Sequence, residues 1–72
     1  SIREIFVQAL RFNAVNIVIV HNHPSGNSEP SKDDIISTKK ICEAGQLIGI
    51  TVLDHIIIGD KSFTSLNALG II

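Results

Sequence analysis

Apolar positions repeat with two different periods along this chain. In residues 2 to 13, IREIFVQALRFN, the residues Ile2, Ile5, Phe6, Ala9 and Leu10 recur at offsets of three and four, which predicts an amphipathic helix with Ser1 as its N-cap. The next run, NIVIV at Asn16 to Val20, is short, continuous and β-branched, the signature of a strand covered on both faces. HNHPSGNSEP then crowds Pro, Gly, Asn and Ser together, so the backbone must leave the sheet and cross the surface as a loop.

Ser31 opens a second helix running to about Leu47, with Ile35, Thr38 and Cys42 along one line, Ile36 beside it, and Gly45 or Gly49 near its end. ITVLDHIII, from Ile50 to Ile58, is a second apolar strand. Gly59-Asp60-Lys61 supplies a turn into a short strand at Ser62 to Thr64, and LNALGII reads as a helical turn. The order helix, strand, helix, strand, hairpin predicts one mixed α/β unit over residues 1–72. The strands at 16 to 20 and 50 to 58 should run parallel through a right-handed crossover at 31 to 47. No internal repeat or linker interrupts it.

Composition narrows the class. The chain has 72 residues, 44% of them hydrophobic and 18% charged, a balance that suits a packed domain and not a disordered tail. At this size only about 60% of the unfolded surface is buried, so a metal, a partner chain or further sequence is expected to support the fold. The chain begins at Ser1 and contains no methionine, and is therefore expected to be a piece of a longer or processed protein. A net charge of -1 with scattered Lys and Arg leaves no basic stripe for a nucleic-acid backbone, so no direct nucleic-acid binding is expected. The single cysteine, Cys42, rules out an internal disulfide framework; no apolar run approaches the roughly 20 residues of a membrane span, and a cytoplasmic location without membrane attachment is expected. A homo-oligomer is compatible with so small a core.

The chemistry concentrates where the first strand ends. His21 and His23 lie two apart, and an extended backbone points both imidazoles to one side, with Cα atoms about 6 to 7 Å apart. Two nitrogens can then share an ion, and a carboxylate would complete the three-ligand set of a catalytic zinc site. Asp33 and Asp34 both qualify, since each sits in the first turn of the second helix, where the helix dipole favours negative charge.

His21-Asn22-His23-Pro24, six further residues, then Ser31-Lys32-Asp33-Asp34 resembles the JAMM motif HxHPx(6)SxxD. The HNHPSG stretch, preceded by REIF and AL-x-x-NA and followed by EAG-x-LIGI and LDHIIIG, is similar to the RadC branch of that family over nearly the whole chain. The resemblance implies a JAB/MPN-like, cytidine-deaminase-like α/β fold, a mixed sheet flanked by helices and here incomplete. It selects Asp34 over Asp33 and implies Zn2+ held by His21, His23 and Asp34. A water would attack an amide of a peptide or protein substrate, with Ser31 steadying the developing oxyanion. It also implies a general-base glutamate on a strand upstream of the first helix, which this sequence does not include. Glu4 and Glu29 are the nearest carboxylates of that type, and neither matches the family position.

Plainer readings stand beside these. Ser31 and Asp34 also satisfy a capping-box pattern, and Pro24 and Pro30 stiffen any loop. His55 reads as a structural strand histidine, or as a group that orients a ligand or faces the substrate. Cys42 reads as a small buried hydrophobe. The consecutive letters HNH do not make an HNH nuclease, whose residues are spread over a longer unit. Ser25-Gly26 lacks the Gly-x(4)-Gly-Lys pattern of a phosphate loop. Two functions therefore compete: a zinc-dependent metallohydrolase, and a non-catalytic metal-stabilised interaction module of a DNA-repair-associated protein, that last description coming from the resemblance alone.

Overall fold

The structure is a computed structural model describing all of residues 1–72. It contains α1 (Ile2–Arg11), β1 (Asn16–Asn22), α2 (Lys32–Ile48), β2 (Thr51–Ile58) and β3 (Phe63–Ser65). The strands form one mixed sheet in the order β1-β2-β3, with β1 parallel to β2 and β3 antiparallel to β2. The expected α/β unit, its parallel crossover through the second helix and its terminal hairpin are all present.

Each helix begins where its cap demands. The Ser1 side chain accepts from the Glu4 amide at 3.3 Å, satisfying one of the orphan donors of α1. The helix stops at Arg11, two residues short of the expected end, because Asn13 adopts a left-handed φ of 54° that breaks the helical path. At α2, Gly49 is the C-cap with φ 76°, so of the two glycines it is the one that ends the helix. Gly45 remains helical and buried for a packing reason. A Cβ there would stand 2.3 Å from the Ile50 carbonyl oxygen and 3.6 Å from the Phe6 ring.

Phe6 and Ala9 of α1 meet Ile41 of α2 and Ile50 and Val52 in one core, with Ile17 and Ile19 of β1 packed against it. Both helices thus cover a single face of the sheet. On the other face Val18 and Val20 are 50% and 54% exposed. This corrects the expectation that β1 is covered on both sides: within this chain no layer lies over that face, and an unbroken β-branched run does not itself reveal which element covers it. Strand β3 begins at Phe63, one residue later than expected, since the turn is closed by the Gly59 amide on the Ser62 carbonyl at 2.8 Å. No helix is long and apolar enough to cross a membrane.

Pairing of β1 with β2 slips at one place. Ile17 faces Val52 but Val18 faces Asp54, leaving Leu53 as an extra residue in β2. The consequence is a change of phase: Val52 and His55, three apart, are both buried, which a regular period of two forbids. This bulge turns His55 inward, towards the end of β1 and the start of α2.

Candidate metal centre

Strand β1 alternates exposed and half-buried residues, and the half-buried set Ile17, Ile19, His21 follows the core-facing side. His23 continues that alternation just beyond the strand, its amide still bonded to the Ile58 carbonyl at 2.9 Å. The two imidazoles consequently lie on one side, ring centroids 5.0 Å apart. Immediately after His23 the chain turns. Pro24 and Ser25 occupy the bend and Gly26 closes it, donating to the His23 carbonyl at 3.0 Å.

The rest of the loop is pinned to the β2–β3 turn. Asp60 donates its amide to the Gly26 carbonyl at 2.8 Å, the Ser28 and Ser62 hydroxyls lie 2.8 Å apart, and a Cβ on Gly59 would stand 2.4 Å from the Gly26 oxygen. A loop so anchored returns the chain to Ser31 on a fixed path.

There the capping box of α2 forms as expected: the Ser31 hydroxyl accepts from the Asp34 amide at 3.0 Å, and Asp34 Oδ2 accepts from the Ser31 amide at 2.8 Å. The same carboxylate reaches both histidines. His23 Nε2 lies 2.9 Å from Asp34 Oδ2 and His21 Nε2 lies 3.6 Å from Asp34 Oδ1. Cap and cluster share one side chain without competition, since a carboxylate has two oxygens and about four lone-pair sites. Asp33, the other candidate, is exposed and takes no part in the cluster.

Ligand atoms of His21, His23 and Asp34 all lie within 4.8 Å of one another. A tetrahedral ion with bonds of about 2.0 to 2.1 Å holds its ligands about 3.3 Å apart, a spacing bracketed by the 2.9 Å between His23 Nε2 and Asp34 Oδ2 and the 4.8 Å that bounds the whole set. The donor set therefore fits a small tetrahedral cation of the zinc type. Burial works against ionisation of Asp34, but the Ser31 amide and hydroxyl and the His23 ring outweigh it and hold its pKa below the ordinary value. The anion needed for coordination is thus the favoured form. His23 Nδ1 donates to the Asn27 carbonyl at 2.8 Å, which turns Nε2 towards the cluster.

The cluster borders a cleft lined by Ile2 and Ile5 of α1, Ile19 and Val20 of β1, Ile41 of α2, and by His21, Asp34 and His55. No carboxylate other than Asp34 lines it, so neither Glu4 nor Glu29 stands in for a general base there. Behind the cluster, His55 is 4% exposed, with Nε2 2.7 Å from His21 Nδ1 and Nδ1 2.6 Å from the Thr38 hydroxyl. Thr38 was not singled out by sequence as a site residue; an uncharged helical threonine carries no signal of its own until a facing strand is known. Cys42 is half-buried in the core and lies outside the cluster; burial raises its thiol pKa, Glu43 adding to the effect.

Known proteins include chains similar to this one along most of its length. The chain is 57% identical over 70 residues to a UPF0758 protein of Desulforamulus reducens, covering 97% of the chain and 31% of that protein. It is 56% identical over 68 residues to one of Bacillus cereus strain B4264, and 52% identical over 68 residues to one of Geobacillus sp. strain WCH70, each time covering 94% of the chain and 30% of the relative. The chain thus spans about a third of the length of these relatives. The family model described as a RadC-like JAB domain matches residues 1–71, and the chain therefore belongs to the RadC-like JAB-domain family.

Proposed function

We propose that this chain carries the metal-binding part of a zinc-dependent hydrolase that cleaves amide bonds in a peptide or protein. The observation that carries the reading is the convergence of His21, His23 and Asp34 within 4.8 Å at the border of an open cleft. Three protein ligands with an open fourth position is the arrangement of catalytic zinc, whereas structural zinc sites are closed by four. Bound zinc supplies Lewis acidity, lowering the pKa of water towards about 7 and polarising a carbonyl.

The chain's own residues supply the remainder. His21, His23 and Asp34 hold the ion. The Ser31 oxygen is committed to the Asp34 amide, but its hydroxyl proton is left to donate to an oxyanion developing beside the cluster. Apolar side chains from α1 and β1 line the cleft, where they exclude water and strengthen the electrostatics within.

A second reading, a metal-stabilised interaction module without turnover, is favoured by one observation: His21, His23 and Asp34 join the end of β1 to the start of α2, so an ion held there would tie the two elements together. Loss of a general base costs about 10²- to 10⁴-fold in rate while leaving metal affinity in place. The test is cleavage of a peptide library by the full-length protein, zinc-loaded and chelated. Zinc-dependent hydrolysis that disappears in Ser31→Asn, a substitution that retains a capping side chain, supports the enzyme. A zinc-loaded full-length protein that cleaves nothing contradicts it and leaves the module.

A further inference from the structure

Behind the cluster runs a chain of hydrogen bonds whose polarity is set by the Thr38 hydroxyl. Thr38 Oγ1 lies 2.7 Å from the backbone carbonyl of Asp34, and a carbonyl only accepts, so the one hydroxyl proton of Thr38 is spent there. The contact of 2.6 Å between that hydroxyl and His55 Nδ1 must then be made by a proton on Nδ1. A neutral imidazole has a single N–H, which leaves His55 Nε2 as a lone pair, and the 2.7 Å contact to His21 is made by a proton on His21 Nδ1. With one proton on the His21 ring, the state that metal coordination requires, its Nε2 is bare and turned to the cluster.

Two further observations agree. Thr38 is fully buried and His55 nearly so, which keeps solvent from competing for the Thr38 hydroxyl and the His55 ring. His21 Nε2 stands off the Asp34 carboxylate at 3.6 Å, too far for a hydrogen bond, while His23 Nε2 closes on it at 2.9 Å. The reverse polarity would place a proton on His21 Nε2, where it would block coordination, and would leave the Thr38 oxygen facing a carbonyl with no proton between them.

The geometry points to Thr38 and His55 as positioning residues that lock His21 in its Nδ1–H tautomer and aim its Nε2 lone pair at the metal position. Their functional meaning rests on the zinc reading above; their tautomeric effect does not. Thr38 sits one helical turn beyond Asp34, so the same segment that supplies the carboxylate also sets the tautomer of the first histidine. Removal of such support behind a ligating histidine typically weakens metal affinity about 10- to 100-fold.

The test combines long-range proton–nitrogen NMR of the histidine rings in metal-free protein with zinc titration of the wild type, Thr38→Val and Thr38→Ser. The expected spectrum has His21 and His55 both protonated on Nδ1 and bare on Nε2. Thr38→Val should give mixed His21 tautomers and zinc binding about 10- to 100-fold weaker, with Thr38→Ser, which keeps the hydroxyl, restoring both. A wild-type His21 or His55 protonated on Nε2 overturns the proposal, as does Thr38→Val with unchanged tautomers and unchanged affinity. Should Thr38→Val fail to fold, the wild-type spectrum alone decides. Wild-type protein with the expected tautomers but no zinc affinity would sink the zinc reading and leave the relay standing.

Discussion

Asp34 performs two tasks with one carboxylate: it closes the capping box of α2 and it faces both histidines. Asp34→Ala should therefore abolish zinc binding and also lower metal-free stability by about 0.3 to 1 kcal/mol, the usual worth of a carboxylate in the first turn of a helix, measurable by urea denaturation. His21→Ala should abolish zinc binding with no capping loss, so the pair separates the two tasks. Asp54 is a carboxylate of another kind. Burial opposes its ionisation, but the Ser65 hydroxyl and the amides of Asn67 and His55 together hold its pKa below the ordinary 3.8. A depressed carboxylate contributes stability that is present above the unfolded-state value and is lost as pH falls through the folded-state value. Metal-free protein should accordingly lose stability as pH drops below about 3.8, and Asp54→Asn should flatten that acid limb in thermal melts recorded as a function of pH. At this scale the ligand set was legible because its spacing is chemical, with two histidines flanking one residue and a carboxylate in the first turn of the next helix. The choice between the structural and the ligand-orienting reading of His55 was not, because its inward direction depends on the extra residue at Leu53, and a bulge leaves no mark in the period of the sequence.

Among the elements, α2 does most to position the site, and its two ends are set by different physics. Its start is fixed by local hydrogen bonds of Ser31 and was readable directly. Its end was ambiguous between Gly45 and Gly49, since glycine is equally expected in a left-handed cap and at a close approach of backbone. Gly49 takes the cap; Gly45 admits the Ile50 carbonyl and the Phe6 ring. Gly45→Ala should thus destabilise by about 1 to 3 kcal/mol through overpacking, despite alanine's better helix propensity, and a denaturant midpoint will show it. A stabilised variant would mean that the Ile50 carbonyl does not approach α2 at Gly45 as described. Strand β1 was recognised for its composition, yet its outer face proved open, because β-branched continuity signals burial without naming what buries.

The whole molecule is small, two helices on one face of three strands, and several apolar side chains stay exposed on the opposite face and along α1. A core of this size leaves a thin margin of stability, so a ligand that binds only the folded chain should be conspicuous. Zinc at a hundredfold excess over its Kd should add about 2.7 kcal/mol, raising the Tm reversibly and losing the gain on chelation. The α/β class, the crossover and the hairpin were all readable from the alternation of periods. The phase slip between β1 and β2 and the convergence behind His21 needed three dimensions. X-ray absorption at the zinc edge of the loaded protein is the most direct measurement: nitrogen and oxygen scatterers at about 2.0 to 2.1 Å, two of them imidazoles, are expected, and the signal should vanish in His21→Ala. A sulfur scatterer at about 2.3 Å, or an unchanged zinc spectrum in that variant, would contradict coordination by His21, His23 and Asp34.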